Sequence, residues 1–525
     1  MKQCSKETYW RGYFYSILLV FIVAAITACS DSSSEGEATP YDPSQPITIS
    51  SIYPEQCSAL DQLMIYGNNF GNDKSAVQVT IGGKKAIVVS VVNDKIYCFV
   101  PSGAFSGVIE VCITDADGNV HQTISETKIT YLRKKVVSTL CGKTNETGDQ
   151  GTLYGSFATC MGFTELGSMT YDPRYPNILY ICYDESDRGI EVLDLNSREY
   201  YQLLPANLFN TRRLRGMAFT NDGAYMLVGV DNGYDERDPQ TSVFLLKRNN
   251  NGTFRNVTPE KLSLFGQCNT VAVHPNGEIY FNSYNQGQVF RLDLDNYFAW
   301  KNWTPDTDDP NYDPQNPEAG RPKWDGKIVS STAEDKTTGF EEVFQIKDSG
   351  NEFRICIHPS GKYAYLVVVN KNYILRTDYD ERTKRFTVPY TVAGAEQQAG
   401  WVDAVGTSAR LNRPYNGVFV KNPEYERQGR EDVYDFYFTD CLNFCVRYLT
   451  PDGVVRTYAG RGKATNGNIW GTEDGDMRET ARFRDVTGIA YSITEDAFYV
   501  LDQYNARIRR IGTELETDNV VSADE

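Results

Sequence analysis

Half of the chain's six tryptophans fall in one run, NYFAWKNWTPDTDDPNYDPQNPEAGRPKWDGK (296–327), as Trp300, Trp303 and Trp324. An indole face stacks on the C–H-rich side of a pyranose ring, whose rim hydroxyls then need polar partners. The Asp and Asn residues of the run and Arg321 could supply them. A long aromatic loop carried by a rigid scaffold is where binding tends to concentrate. The same tryptophans could instead pin the run to the rest of the chain as a small satellite core. Both readings stand at this point. Trp401 and Trp470 lie in Gly-rich stretches and, with Tyr415 and Tyr504, are further aromatic candidates.

Catalytic parts are scarce. There are three histidines. His274 and His358 share one setting, His-Pro-x-Gly, which reads as a turn, and His121 lies in a separate N-terminal unit. A metal-dependent or lyase activity would need histidines converging on one site. Neither a GxSxG nucleophile elbow nor an HExxH zinc motif occurs. Among 69 acidic residues, carboxylate pairs are too many to single out, so counting does not exclude a two-carboxylate glycosidase. Cys441 and Cys445 stand four apart with no second pair at zinc spacing. Most of the other cysteines alternate with apolar residues, as in IYCFV and LYICY, and read as buried small hydrophobes. No metal site and no cofactor is expected. The formal charge of −17 argues against nucleic acid and anionic membrane surfaces as partners.

The elements that would position these residues are strands. Residues 409–460 (ARLNRPYNGVFVKN…VYDFYFTDCLNFCVRYLTPDGVVRTYAG) and 481–512 (ARFRDVTGIAYSITEDAFYVLDQYNARIRRIG) each read strand, turn, strand, Asp-containing turn, strand. This pair resembles the NHL repeat, in which three or four strands form one blade of a β-propeller. Looser copies of the first two strands occur at 166–186, 214–233, 269–287 and 353–372, giving six units. The last unit has little chain left for a fourth strand, whereas VVSTLCG (136–142) matches VVRTYAG (454–460) and has no repeat in front of it. It is therefore expected to supply the missing outer strand and close a six-bladed ring.

By that resemblance, binding gathers on the face built by the lead-in to each innermost strand and by the turns between the second and third strands. The lead-in positions are Arg215, Asn269, Arg354, Asn416 and Thr487. The turn positions are Asp184, Asp231, Asn282, Asn370, Asp440 and Asp502, and a short polar side chain there has a structural use in bonding the backbone of a tight turn. The lead-in Arg and Asn residues are the better binding candidates. His274 and His358 fall at the opposite end of their blades.

Residues 46–132 show short alternating runs broken by Gly, Asn and Asp turns, the pattern of an antiparallel sandwich. Pro54, the Gly67-Asn68-Asn69-Phe70-Gly71 turn, the Gly82-Gly83 hairpin and Val100-Pro101 before Gly107 make this unit similar to IPT/TIG immunoglobulin-like domains. Such domains act mostly as spacers or as interaction modules, and with no exposed motif that favours the second role, spacer is the expected one.

The N-terminus reads as a targeting segment. Lys2, Lys6 and Arg11 precede the apolar stretch SILLVFIVAAITA (16–28), too short to span a bilayer, which needs about 20 residues. Ile26-Thr27-Ala28-Cys29 resembles a bacterial lipobox, which implies cleavage after residue 28 and a lipid on Cys29. An ordinary cleaved signal with an incidental cysteine is the alternative. Residues 29–45 are acidic and Pro-containing and form a solvated tether.

The expected fold class is therefore all-β. A signal peptide (1–28) and tether (29–45) precede an IPT/TIG sandwich (46–132) and a six-bladed NHL-type β-propeller (133–525) closed by its N-terminal strand. This order resembles the surface lipoproteins of glycan-uptake systems, which work beside an outer-membrane transporter and its lipoprotein partner. The resemblance implies a non-catalytic, lipid-anchored outer-membrane protein, facing the exterior, that captures oligo- or polysaccharide. A protein- or peptide-binding propeller is the alternative, and a propeller glycosidase or lyase a more distant one.

Overall fold

The computed structural model describes residues 39–515, apart from Ser102, 144–150, 185–187, 211–212, 232–240, 265–266, Asp325, 327–338, Ser349 and 463–467. The signal peptide, lipobox and Cys29 lie outside the described residues. The chain forms two compact units: Lys135–Thr513, and the residues before it together with those from Glu514 onward.

The first unit packs two four-stranded antiparallel sheets. One contains Thr48–Tyr53, Gln62–Asn68, Lys95–Phe99 and Ile87–Val92, and the other Lys84–Lys85, Val77–Ile81, Ile109–Thr114 and Val120–Ile124. Alternation puts Leu63, Ile65, Val79, Ile81, Ile96, Cys98, Val111 and Ile113 into a shared core. The turn at 67–71 depends on glycine. A Cβ on Gly67 would stand 1.9 Å from the Thr48 carbonyl oxygen. Asn69, next to it, donates through Nδ2 to the carbonyls of Asp42 and Gln45, both at 2.8 Å, and so fixes the incoming chain. Glu514 belongs to this unit: its carboxylate accepts from the Gly103 amide at 2.6 Å and the Tyr131 hydroxyl at 2.5 Å.

The second unit is a six-bladed propeller. Its blades begin with the innermost strands Gly167–Tyr171, Leu214–Phe219, Val271–Val273, Phe353–Ile357, Pro414–Lys421 and Val486–Ser492, and each runs outward as an antiparallel sheet. The innermost strands neighbour one another in sequence order, and the sixth neighbours the first, so the ring is closed. Closure occurs in the sixth blade as the sequence predicts. Lys135–Cys141 pairs antiparallel with Arg507–Thr513, with Val137 opposite Ile511. A two-residue strand, Gly475–Asp476, adds to the far side of Lys135–Cys141. Large apolar residues fill the seams between blades, as where Val137, Val446, Phe483, Val500 and Ile511 meet.

The 296–327 run contains a helix that the sequence reading missed, Leu294–Lys301. Asp293 caps it by accepting from the amides of Asp295 and Asn296. The ten cysteines among the described residues carry free thiols, and eight are buried, including Cys98 and Cys182. Burial pushes the Cys441 and Cys445 thiols well above their ordinary range.

Candidate functional site

Arg215 and Arg354 reach from their innermost strands to residues of other blades. Arg354 Nη1 donates to the carbonyl of Arg215 at 2.7 Å and to that of Asn269, and its Nη2 donates to the Tyr415 hydroxyl at 3.0 Å. One guanidinium of the fourth blade thus reaches the second, third and fifth. Arg215 Nη1 lies 2.6 Å from Asp184 and 3.7 Å from Asp231, and its Nη2 pairs with Glu352. Burial opposes the charge on Arg215, but Tyr415, Glu352 and Asp184 outweigh it and hold the guanidinium above its ordinary value. Burial likewise penalises Glu352, yet Arg215 and Arg354 keep its carboxyl below the usual range.

Arg215, Asn269, Arg354 and Tyr415 are therefore buried in a polar plug, not displayed on a face. Asn416, half-buried beside the plug, donates from Nδ2 to Ser168 Oγ at 3.4 Å. The spacing of Arg215 and Arg354 in the sequence could not announce the plug, because it is assembled from residues up to two hundred positions apart. Beside the plug lies a cavity of about 340 Å³ whose lining mixes apolar side chains such as Met169, Met217 and Ile489 with the polar Asn269, Arg354 and Asn416. Asn269 Nδ2 and Arg354 Nε, on residues lining this cavity, have no hydrogen-bond partner.

Two of the turn acids, Asp440 and Asp502, bond the backbone of their turns, whereas Asp184 and Asp231 face the Arg213 and Arg215 side chains. Asp440 accepts from the Asn412 amide at 2.8 Å, Asn443 Nδ2 at 2.7 Å and Arg447 Nη1 at 2.9 Å. Asp502 repeats the set with the Arg484 amide, Asn505 and Arg509. The spacing Asp-x2-Asn-x3-Arg is common to both repeats in the sequence. Asn370 departs from this pattern: the strand before it ends at Val368, the matching position, and Asn370 is exposed within the following turn.

The tryptophan run lies at the rim of the third blade. Trp324 is buried, with its ring 5.1 Å from those of Tyr297 and Phe340. Trp300 packs on the same cluster. Arg321 covers its ring at 4.8 Å and donates from Nε to its backbone carbonyl at 3.1 Å. The satellite-core reading describes Trp300, Trp324 and Arg321. Trp303 follows the helix, half-buried.

A different aromatic group faces solvent near the turns of blades five and six. Trp470 and Tyr504 are 42% and 55% exposed. Arg484 lies between them, 4.5 Å and 4.7 Å from the ring centroids. Arg461 stacks at 4.0 Å on Trp401, whose Nε1 donates to Thr457 Oγ1 at 2.9 Å. The sequence reading named the rings but not the arginines. His274 and His358 are buried, His274 stacked on Tyr379 and bonded to the Gly361 carbonyl, His358 stacked on Tyr363 beside Asp432.

Comparison with known proteins bears on both units. An IPT/TIG domain model matches residues 46–131. A solved structure named an auxiliary nutrient binding protein, from Bacteroides thetaiotaomicron VPI-5482, is 34% identical over 91% of this chain and 100% of its own, with a TM-score of 0.73. A second of that name, from Bacteroides ovatus ATCC 8483, is 32% identical over the same shares, with a TM-score of 0.62. A third, from B. thetaiotaomicron, whose name proposes a phosphatase, is 43% identical over 91% of this chain and 99% of its own, with a TM-score of 0.72. The chain belongs to the family of these proteins. No curated protein matches it. The full-length coverage means that family members share both the sandwich and the propeller, so the plug and the face above can be compared across complete chains.

Proposed function

We propose that the protein is a non-catalytic, lipid-anchored surface protein that binds extracellular oligo- or polysaccharide for an outer-membrane uptake system. The observation that carries this reading is the full-length similarity to two proteins named for nutrient binding. The lipobox-like Ile26–Cys29 and acidic tether support attachment outside the cell. The exposed Trp470–Arg484–Tyr504 stack supplies aromatic and donor groups of the kind saccharides need. Titration calorimetry against a panel of plant and host polysaccharides tests it. A saccharide bound with unchanged chain length after prolonged incubation is the expected result, and shortened products would replace binding with hydrolysis.

One observation favours a second reading. The relative at 43% identity carries a phosphatase name. Release of phosphate from a phosphomonoester such as p-nitrophenyl phosphate, above a buffer control, would favour it.

A further inference from the structure

The stacked arginines of blades five and six bear on which saccharide would bind, an inference that rests on the proposed function. Arg447, Arg482 and Arg509 each pair with a carboxylate, Arg482 taking Glu473 at 3.3 Å. Arg413, Arg461 and Arg484 have no carboxylate at ion-pair distance among the described residues. All three adjoin the turns Cys441–Asn443 and Gln503–Asn505. Arg461 Nη1 donates to the Asn443 carbonyl at 3.0 Å, and the carbonyls of Arg413 and Arg484 accept from the amides of Cys441 and Tyr504, both at 3.2 Å. Arg413 Nε is buried with no acceptor.

Two of these guanidiniums, Arg461 and Arg484, lie against aromatic rings, which fixes their planes, and Arg461 Nη1 is taken by the Asn443 carbonyl. A fixed planar fork is suited to a carboxylate, sulfate or similar group that accepts two parallel hydrogen bonds. Half-buried arginines in an acidic protein ordinarily find acids. Here 69 acidic residues are available, and these three positions are left without them. Burial raises the Asp485 carboxyl above its ordinary range, although Arg413 and Arg484 act to lower it. Burial, with Arg478 and Arg447 nearby, lowers Arg461, although Asp440 acts to raise it.

We infer that Arg413, Arg461 and Arg484, with Trp401, Trp470 and Tyr504, form a subsite for a saccharide bearing anionic oxygens, either carboxylate or sulfate. The rings contact the sugar and the guanidiniums take the acid groups. Neutral sugars of the same shape leave the guanidiniums unanswered.

The test compares charged and uncharged pairs on the full chain by calorimetry: polygalacturonate against its fully methyl-esterified form, and dextran sulfate against dextran. At least tenfold preference for one charged member identifies carboxylate or sulfate as the source. Arg461→Gln with Arg484→Gln should cut that affinity at least tenfold with an unchanged melting temperature, and Arg484→Lys, which keeps charge but loses the fork, should fall between. Should the double variant melt early, Arg484→Lys alone decides. A neutral polysaccharide bound as tightly as its charged partner, or charged binding unaffected by the substitutions, overturns this subsite while leaving saccharide binding standing. Absence of binding to every polysaccharide overturns both.

Discussion

Asp502 sits at the inner end of a strut that holds the sixth blade's turn, accepting from Asn505 Nδ2 and Arg509 Nη1, each at 2.8 Å. Burial raises its pKa to about 6 in spite of Arg509. A raised folded-state value means that the protonated form is the better fit, so its contribution to stability is complete below about 4 and is lost as pH rises through about 6. Asp502→Asn should remove that dependence. Denaturant unfolding from pH 4 to 7 should show the wild-type advantage over the variant shrinking with pH by on the order of 1–3 kcal/mol, then levelling. An advantage that grows with pH would mean that Arg509 outweighs burial. Asp502 was visible in the sequence as a turn residue because Asp-containing turns repeat. Its arginine partner was equally visible at fixed spacing, whereas Arg215 and Glu352 were not, since their pairing exists only once the ring has closed.

At the scale of elements, the segment 135–141 shows what a repeat makes legible. Its resemblance to 454–460 placed it as an outer strand because blade strands share a pattern of β-branched residues ending in glycine. In the folded chain it has a neighbour on each side, so the Val137 amide faces a ladder partner whichever way it points. Val137→Pro removes that donor and should destabilise the propeller by about 1–3 kcal/mol through an orphaned acceptor alone. Thermal melting and protease sensitivity near residue 135 would register it, and a wild-type melting curve would mean that the closing strand contributes little. The tryptophan run was less legible. Composition alone cannot tell an aromatic that binds from one that packs, and the helix Leu294–Lys301 is what brings Trp300 onto Tyr297. Trp324→Ala should therefore cost roughly 3–5 kcal/mol while leaving saccharide affinity unchanged. A loss of affinity without a loss of stability would return Trp324 to the site.

At the scale of the molecule, the two units have separate hydrophobic cores, one built from Leu63, Ile65, Val79 and their neighbours and the others from residues beyond 136. The rings and arginines of the proposed subsite all belong to the second unit. If the sandwich serves as a spacer, its removal should affect reach and not recognition. A chain lacking 46–132 but keeping the closing strand 135–141 is expected to bind the same polysaccharide in solution within about threefold, a difference below 1 kcal/mol. If residues 29–45 tether the protein to the cell surface, that chain, displayed on cells, should capture less of a large polymer because it has lost the reach of the sandwich. Calorimetry on the purified chain and labelled-polymer capture on cells separate the two effects. A tenfold loss in solution would place ligand contacts on the sandwich. Equal capture on cells would remove its role as a spacer.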